Sequence, residues 1–113
     1  MKKTAIVLLL SMFLAAPALA GDIEISDQGL KVLRVSDRYV TYAWKVVLYN
    51  NTGEARRVTV KFSLIDENEY ELEYGYANGT VDAWSNTTIT GRGIAERNLF
   101  LQMKNTLASV RAR

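Results

Sequence analysis

Two stretches of strict alternation constrain this chain more than anything else in it. Between Tyr39 and Tyr49 the even positions carry Val40, Tyr42, Trp44, Val46 and Leu48, while the odd ones include Thr41, Ala43 and Lys45. From Arg57 to Ile65, Val58, Val60, Phe62 and Leu64 alternate with Thr59, Lys61 and Ser63. A period of two places every apolar side chain of a strand on one face, so each stretch is predicted to be a strand with one buried side. A sheet that is apolar on one face needs a second layer to cover it.

The cluster Asn50-Asn51-Thr52-Gly53-Glu54 separates these strands with residues that favour turns. After the polar stretch Asp66-Glu67-Asn68-Glu69, Tyr70, Leu72 and Tyr74 alternate with Glu71 and Glu73, which predicts a hairpin with the preceding strand. Directly paired residues point to the same side of a sheet, and the apolar sets of both strands are even-numbered. Two registers keep that match, and the preferred one joins Leu64 to Tyr70, Phe62 to Leu72 and Val60 to Tyr74 because it also sets Lys61 opposite Glu73; a shift of two residues keeps the apolar match and loses that pair.

Weaker strands are expected at Asp22 to Ser26, Leu30 to Val35, Thr87 to Gly91 and Asn98 to Lys104, and the spacing of Met103, Leu107 and Val110 suggests a terminal turn of helix. About seven short strands with turn residues between them make an all-β, antiparallel sandwich the expected fold. Residues 21–113 hold no linker or repeat and are of a length that closes a single modest core, so one domain is expected.

Ahead of that domain, Lys2 and Lys3 precede an apolar run from Ala5 to Ala16, and Pro17-Ala18-Leu19-Ala20 places small residues at the positions a signal peptidase requires. Residues 1–20 are read as a cleaved signal peptide, too short in its apolar part to span a bilayer. The mature chain is thus expected in the periplasm or outside the cell, with no membrane span. It contains no cysteine, hence neither a disulfide nor a lipid attachment thiol. The formal charge of +2 belongs to the signal: without Lys2 and Lys3, twelve basic side chains balance twelve acidic ones, and no electrostatic footprint for nucleic acid remains.

Histidine is also absent, which removes the commonest general base and, with cysteine, the commonest zinc ligands and the thiol nucleophile. None of Ser26, Ser36, Ser63, Ser85 and Ser109 sits in a nucleophile-elbow pattern. The carboxylates from Asp66 to Glu73 are numerous enough to suggest a glycosidase pair or a calcium site. Asp66-Glu67-Asn68-Glu69-Tyr70 nevertheless lacks the glycine and the third ligand position of an EF-hand loop, and a solvated edge that discourages strand addition is the simpler reading. The expectation is of no catalytic residue, no metal and no cofactor.

Aromatic residues carry the case for binding. Trp44 shares the inward parity of its strand, whereas Trp84 stands beside Ser85-Asn86-Thr87 with no apolar alternation to bury it. Tyr76, between Gly75 and Ala77, has the same claim to solvent. Trp84 and Tyr76 are accordingly the candidate binding residues. The acceptor sequons at Asn50, Asn78 and Asn86 are read as turn chemistry.

The strand Val58-Thr59-Val60-Lys61-Phe62-Ser63-Leu64-Ile65-Asp66 resembles the central strand of the FxLYD family, small immunoglobulin-like domains of exported prokaryotic proteins. Phe62, Leu64 and Asp66 match the motif, and Ile65 stands where the family has tyrosine. Val46-Val47-Leu48-Tyr49-Asn50-Asn51-Thr52 is similar to the preceding strand and its asparagine loop, and Ala83-Trp84-Ser85-Asn86-Thr87-Thr88-Ile89 to the turn before the penultimate strand. The resemblance implies an immunoglobulin-like sandwich without catalytic residues. The expected function is a non-enzymatic module that binds a protein or cell-envelope partner, with carbohydrate binding through exposed aromatics as the alternative.

Overall fold

The computed structural model describes residues 22–113. Along the chain run β1 (Ile23–Val35), β2 (Tyr39–Asn50), β3 (Arg56–Ile65), β4 (Glu71–Val81), β5 (Asn86–Glu96), the single-turn helix α1 (Arg97–Phe100) and β6 (Asn105–Ala112). The strands form two antiparallel sheets, β1-β2-β5 and β4-β3-β6, packed as a sandwich. The signal peptide expected at residues 1–20 lies outside the described residues.

The two strands with the cleanest alternation occupy the centre of their sheets, because only a central strand has its whole apolar face covered. Tyr42, Trp44, Val46 and Leu48 of β2 join Val58, Val60, Phe62 and Leu64 of β3 in one core cluster across the layer gap, all of them buried. Trp44 and Phe62 stack with centroids 5.0 Å apart and planes within 2°. Room for the indole comes from the neighbouring strand: Gly91 pairs with Trp44, and a Cβ there would fall 2.3 Å from the ring. At the far end of the core Tyr42 packs against Phe100, their centroids 5.8 Å apart, and burial raises its phenol pKa, with Glu73 adding to the effect.

Asn50 is fully buried where β2 leaves the first sheet, and its amide is saturated. Nδ2 donates to the carbonyls of Glu54 (2.7 Å) and Val81 (3.0 Å), while Oδ1 accepts from the Thr52 N–H (2.9 Å) and hydroxyl (2.7 Å). The Asn50 N–H donates to Ser85 and the Asn51 N–H to Asp22, so one corner joins β1, β2, β4 and the start of β5.

Several expectations are corrected. The strands expected at Asp22 to Ser26 and Leu30 to Val35 are one continuous β1, kinked by irregularities at Ile25/Asp27 and Val32/Arg34, and the described residues form six strands where about seven were expected. Asn98 to Lys104 is not a strand: the chain crosses there from the first sheet to the second, with Phe100 and Met103 packed on the core. The segment with helical spacing is instead β6, in which Thr106, Ala108 and Val110 turn inward and Leu107 outward. Asn78, read as turn chemistry, lies inside β4 and accepts a hydrogen bond from the Thr59 hydroxyl.

The β3–β4 register also differs. Phe62 pairs with Gly75 and Val60 with Ala77, so paired numbers sum to an odd value, and Tyr74 and Tyr76 point away from the core. Parity failed because the inward face of β4 has no space for tyrosine. A Cβ on Gly79 would lie 2.3 Å from Ile89, and one on Gly75 3.6 Å from the Trp44 indole nitrogen. Large side chains of the first sheet reach across and select the small odd-numbered set. An irregularity between Leu64 and Ile65 absorbs the change, leaving Leu72 against the core.

Replacing Asn50 with Ala removes the side-chain donor to the buried Val81 carbonyl and the acceptor of the Thr52 N–H, and should cost about 2–4 kcal/mol. Gly91→Ala should cost about 1–3 kcal/mol by overpacking, whereas Gly75→Ala should change stability by less than about 1 kcal/mol. Urea unfolding followed by tryptophan fluorescence distinguishes these outcomes, and equal effects at the two glycines would contradict the packing described.

Candidate functional site

The outward parity of β4 places Tyr74 and Tyr76 side by side on the outer face of the second sheet, half or more exposed. Their rings meet edge to face, centroids 5.6 Å apart. On the adjacent strand Tyr76 is opposite Lys61 and Tyr74 opposite Ser63; on the far side of β3, Ser109 and Leu107 complete these rows. The Lys61 ammonium lies 4.8 Å from the centroid of the Tyr74 ring, within cation–π range. Leu107, 56 % exposed, extends the apolar part of the surface.

Glu71 organises this face. One of its oxygens, Oε1, receives Lys61 Nζ at 2.9 Å and the Ser63 hydroxyl at 2.9 Å. The expected Lys61–Glu73 pair is thus replaced by Lys61–Glu71, a consequence of the shifted register. These hydrogen bonds hold the Glu71 carboxyl below the usual carboxylate range, and the partnership with Glu71 raises the Lys61 ammonium. Both groups stay ionised at neutral pH, and Lys61 is fixed beside the tyrosines instead of ranging through solvent.

Trp84 is also exposed, at 62 %, but in a different place. It occupies the turn between β4 and β5 with φ of 54°, a conformation that costs an L-residue about 1–2 kcal/mol. Its N–H donates to the Thr52 carbonyl and its indole rests over Gly53. Tyr76 and Trp84 do not form one platform, since the strand from Tyr76 to Val81 alone spans about 17 Å. The neighbour of Tyr76 is Tyr74, which the even-parity reading had turned inward. The signal that locates it was present: Gly75, Ala77 and Gly79 form a small inward set only if Tyr74 and Tyr76 face out.

The acidic hairpin is built as a turn. Asp66 Oδ1 accepts the N–H groups of Asn68 and Tyr70, both at 2.9 Å, and Glu69 adopts φ of 67°. Among the described residues no three histidine, cysteine, aspartate or glutamate side chains converge where they could hold a metal.

No family model matches the sequence, and no curated protein matches it. Similarities to solved structures are found. A beta-glucuronidase from glycoside hydrolase family 2 superposes with a TM-score of 0.56 at 10 % identity, over 61 % of this chain and 7 % of the enzyme's. A DUF1425 family member from Shewanella sp. pv-4 is similar over 76 % of this chain and 78 % of its own, with a TM-score of 0.43 and 13 % identity. The chain therefore spans a small fraction of the glucuronidase it matches, and that likeness defines a class of fold: a small antiparallel β-sandwich.

A depressed folded-state pKa means that the Glu71 contribution to stability is present above the unfolded carboxylate value, about 4.3, and is lost as pH falls through the folded value. In Lys61→Met the Glu71 titration followed by NMR should move upward toward the ordinary range, and the variant should lose less stability than the wild type on acidification. An unchanged titration would show that Lys61 does not hold the carboxylate.

Proposed function

We propose that the chain is an exported, non-enzymatic β-sandwich module of FxLYD type, working in the periplasm or outside the cell. It binds a protein or cell-envelope partner through the outer face of its second sheet. The observation that carries this reading is the exposed pair Tyr74–Tyr76 with Lys61 fixed beside it and Leu107 across the strand. Tyrosine supplies large contact area for little conformational entropy, and aromatic residues are enriched where interfaces concentrate their energy. The FxLYD assignment is supported by the places of its motif residues: Phe62 and Leu64 are core, and the Asp66 carboxylate closes the turn that follows.

Carbohydrate binding is the second reading. Flat exposed rings stack on sugar faces, and Tyr74, Tyr76 and Trp84 each offer one.

Residues 21–113 immobilised and exposed to an envelope extract should retain one stoichiometric protein. Tyr74→Ala/Tyr76→Ala should reduce that retention at least about tenfold, the loss of one hot spot, while Trp84→Ala leaves it unchanged. Recovery of glycan sensitive to the same aromatic substitutions supports the second reading. A bound component indifferent to Tyr74 and Tyr76 places the interface elsewhere and refutes the assignment to this face.

A further inference from the structure

We propose that β1 is the self-association edge of the molecule, pairing antiparallel with β1 of a second copy about a two-fold axis at Gly29. The first sheet is ordered β1-β2-β5, so β1 is paired on one side only, and beyond its ladder with β2 its backbone makes no strand hydrogen bonds among the described residues. It is thirteen residues long, and its final five are all exposed, including Val32, Leu33 and Val35 at 41–56 %. A long edge with uncovered apolar side chains is a template for strand addition.

Its charges select the occupant. Glu24, Asp27, Lys31 and Arg34 lie opposite Tyr49, Val47, Ala43 and Thr41, all on the outward face of the first sheet, and all four are exposed. None of the four forms an ion pair within the chain among the described residues. The acidic two precede Gly29 and the basic two follow it at matching intervals. Centring an antiparallel pair on Gly29 therefore sets Asp27 opposite Lys31 of the partner subunit and Glu24 opposite the partner's Arg34. Two-fold symmetry repeats both contacts, giving four ion pairs.

The kinks in β1 obey the same centre. Ser26 and Leu33 are the residues skipped in the pairing with β2, and in this register the segment Ile25–Ser26 of one copy faces Val32–Leu33 of the other. Inward and outward faces thus stay matched beyond both irregularities, and Ile23 meets the partner's Val35. A shift of two residues either way sets Asp27 against Gly29 or Leu33 and loses both ion pairs. Charges that merely blocked edge pairing would have no reason to change sign about one residue. Gly29 itself carries no side chain on the axis, where two copies of one residue meet.

Sedimentation velocity on residues 21–113, which contain every strand of the sandwich, should show a concentration-dependent dimer that weakens as salt rises. Lys31→Glu/Arg34→Glu should weaken it at least about tenfold, because all four attractive pairs become repulsive. The exchange variant Glu24→Arg/Asp27→Lys/Lys31→Glu/Arg34→Glu should restore it, because in a symmetric pair it recreates every contact with reversed sign. Circular dichroism establishes that each variant is folded. A wild type that stays monomeric at low salt, a double reversal that dimerises as well as the wild type, or an exchange variant that fails to recover would each overturn the proposal.

Discussion

One buried amide holds this sandwich in its topology. Asn50 ends β2 at zero exposure, with both donors and two acceptor positions used, and its partners come from the β2–β3 turn and the end of β4. A buried amide is tolerable only when fully paired, so the corner admits one arrangement of these segments. Without cysteine the chain has no covalent staple between its layers. The hydrogen bonds around Asn50, the Trp44–Phe62 stack and the Thr106 hydroxyl donating to Gln28 Oε1 tie the sheets together at defined positions. Ser85 and Asp22 also bond at this corner, so the turn presenting Trp84 and the first described residue are fixed by the same construction.

From that corner the packing runs down the core by exchanging large for small. The rings of β2 lie over glycines of β5, and side chains of the first sheet also occupy the space facing Gly75 and Gly79 of β4. This complementarity sets the faces of β4, and hence the exposure of Tyr74 and Tyr76. A surface feature with a claim to function is in this sense a product of core volume: the tyrosines face solvent because Trp44 and Ile89 have taken their room.

The same dependence explains what could be read from the sequence. β2 and β3 were legible because their alternation is driven by burial on both flanks, and any central strand must show it. β4 was misread because tyrosine is amphipathic, counted as apolar in a pattern while being at home in solvent. Its true parity lies in Gly75, Ala77 and Gly79, residues whose smallness matters only once the opposite layer is known. The crossing at Arg97–Phe100 and the strand β6 were interchanged for a related reason: Met103, Leu107 and Val110 fall at helical spacing although Leu107 faces away from the other two. Exposure of Trp84 and Tyr76 could be argued from their polar and small neighbours, but their separation could not, since it depends on how far β4 extends beyond Asn78.

The two proposed surfaces are compatible because they lie on different layers. Tyr74, Tyr76 and Lys61 belong to the outer face of the second sheet, and β1 borders the first; β1 and β6 meet only sparsely along that side of the sandwich. Pairing through β1 would join two first sheets into one six-stranded sheet and leave both tyrosine faces open. Two identical faces held on a rigid dimer engage a repeated partner with the second contact effectively intramolecular, so modest affinity at each face suffices. That relation gives the balance of acidic and basic side chains over residues 21–113 a physical meaning. The ionised side chains act locally: one pair fixes Lys61 beside the tyrosines, and the four along β1 set the register of the proposed edge.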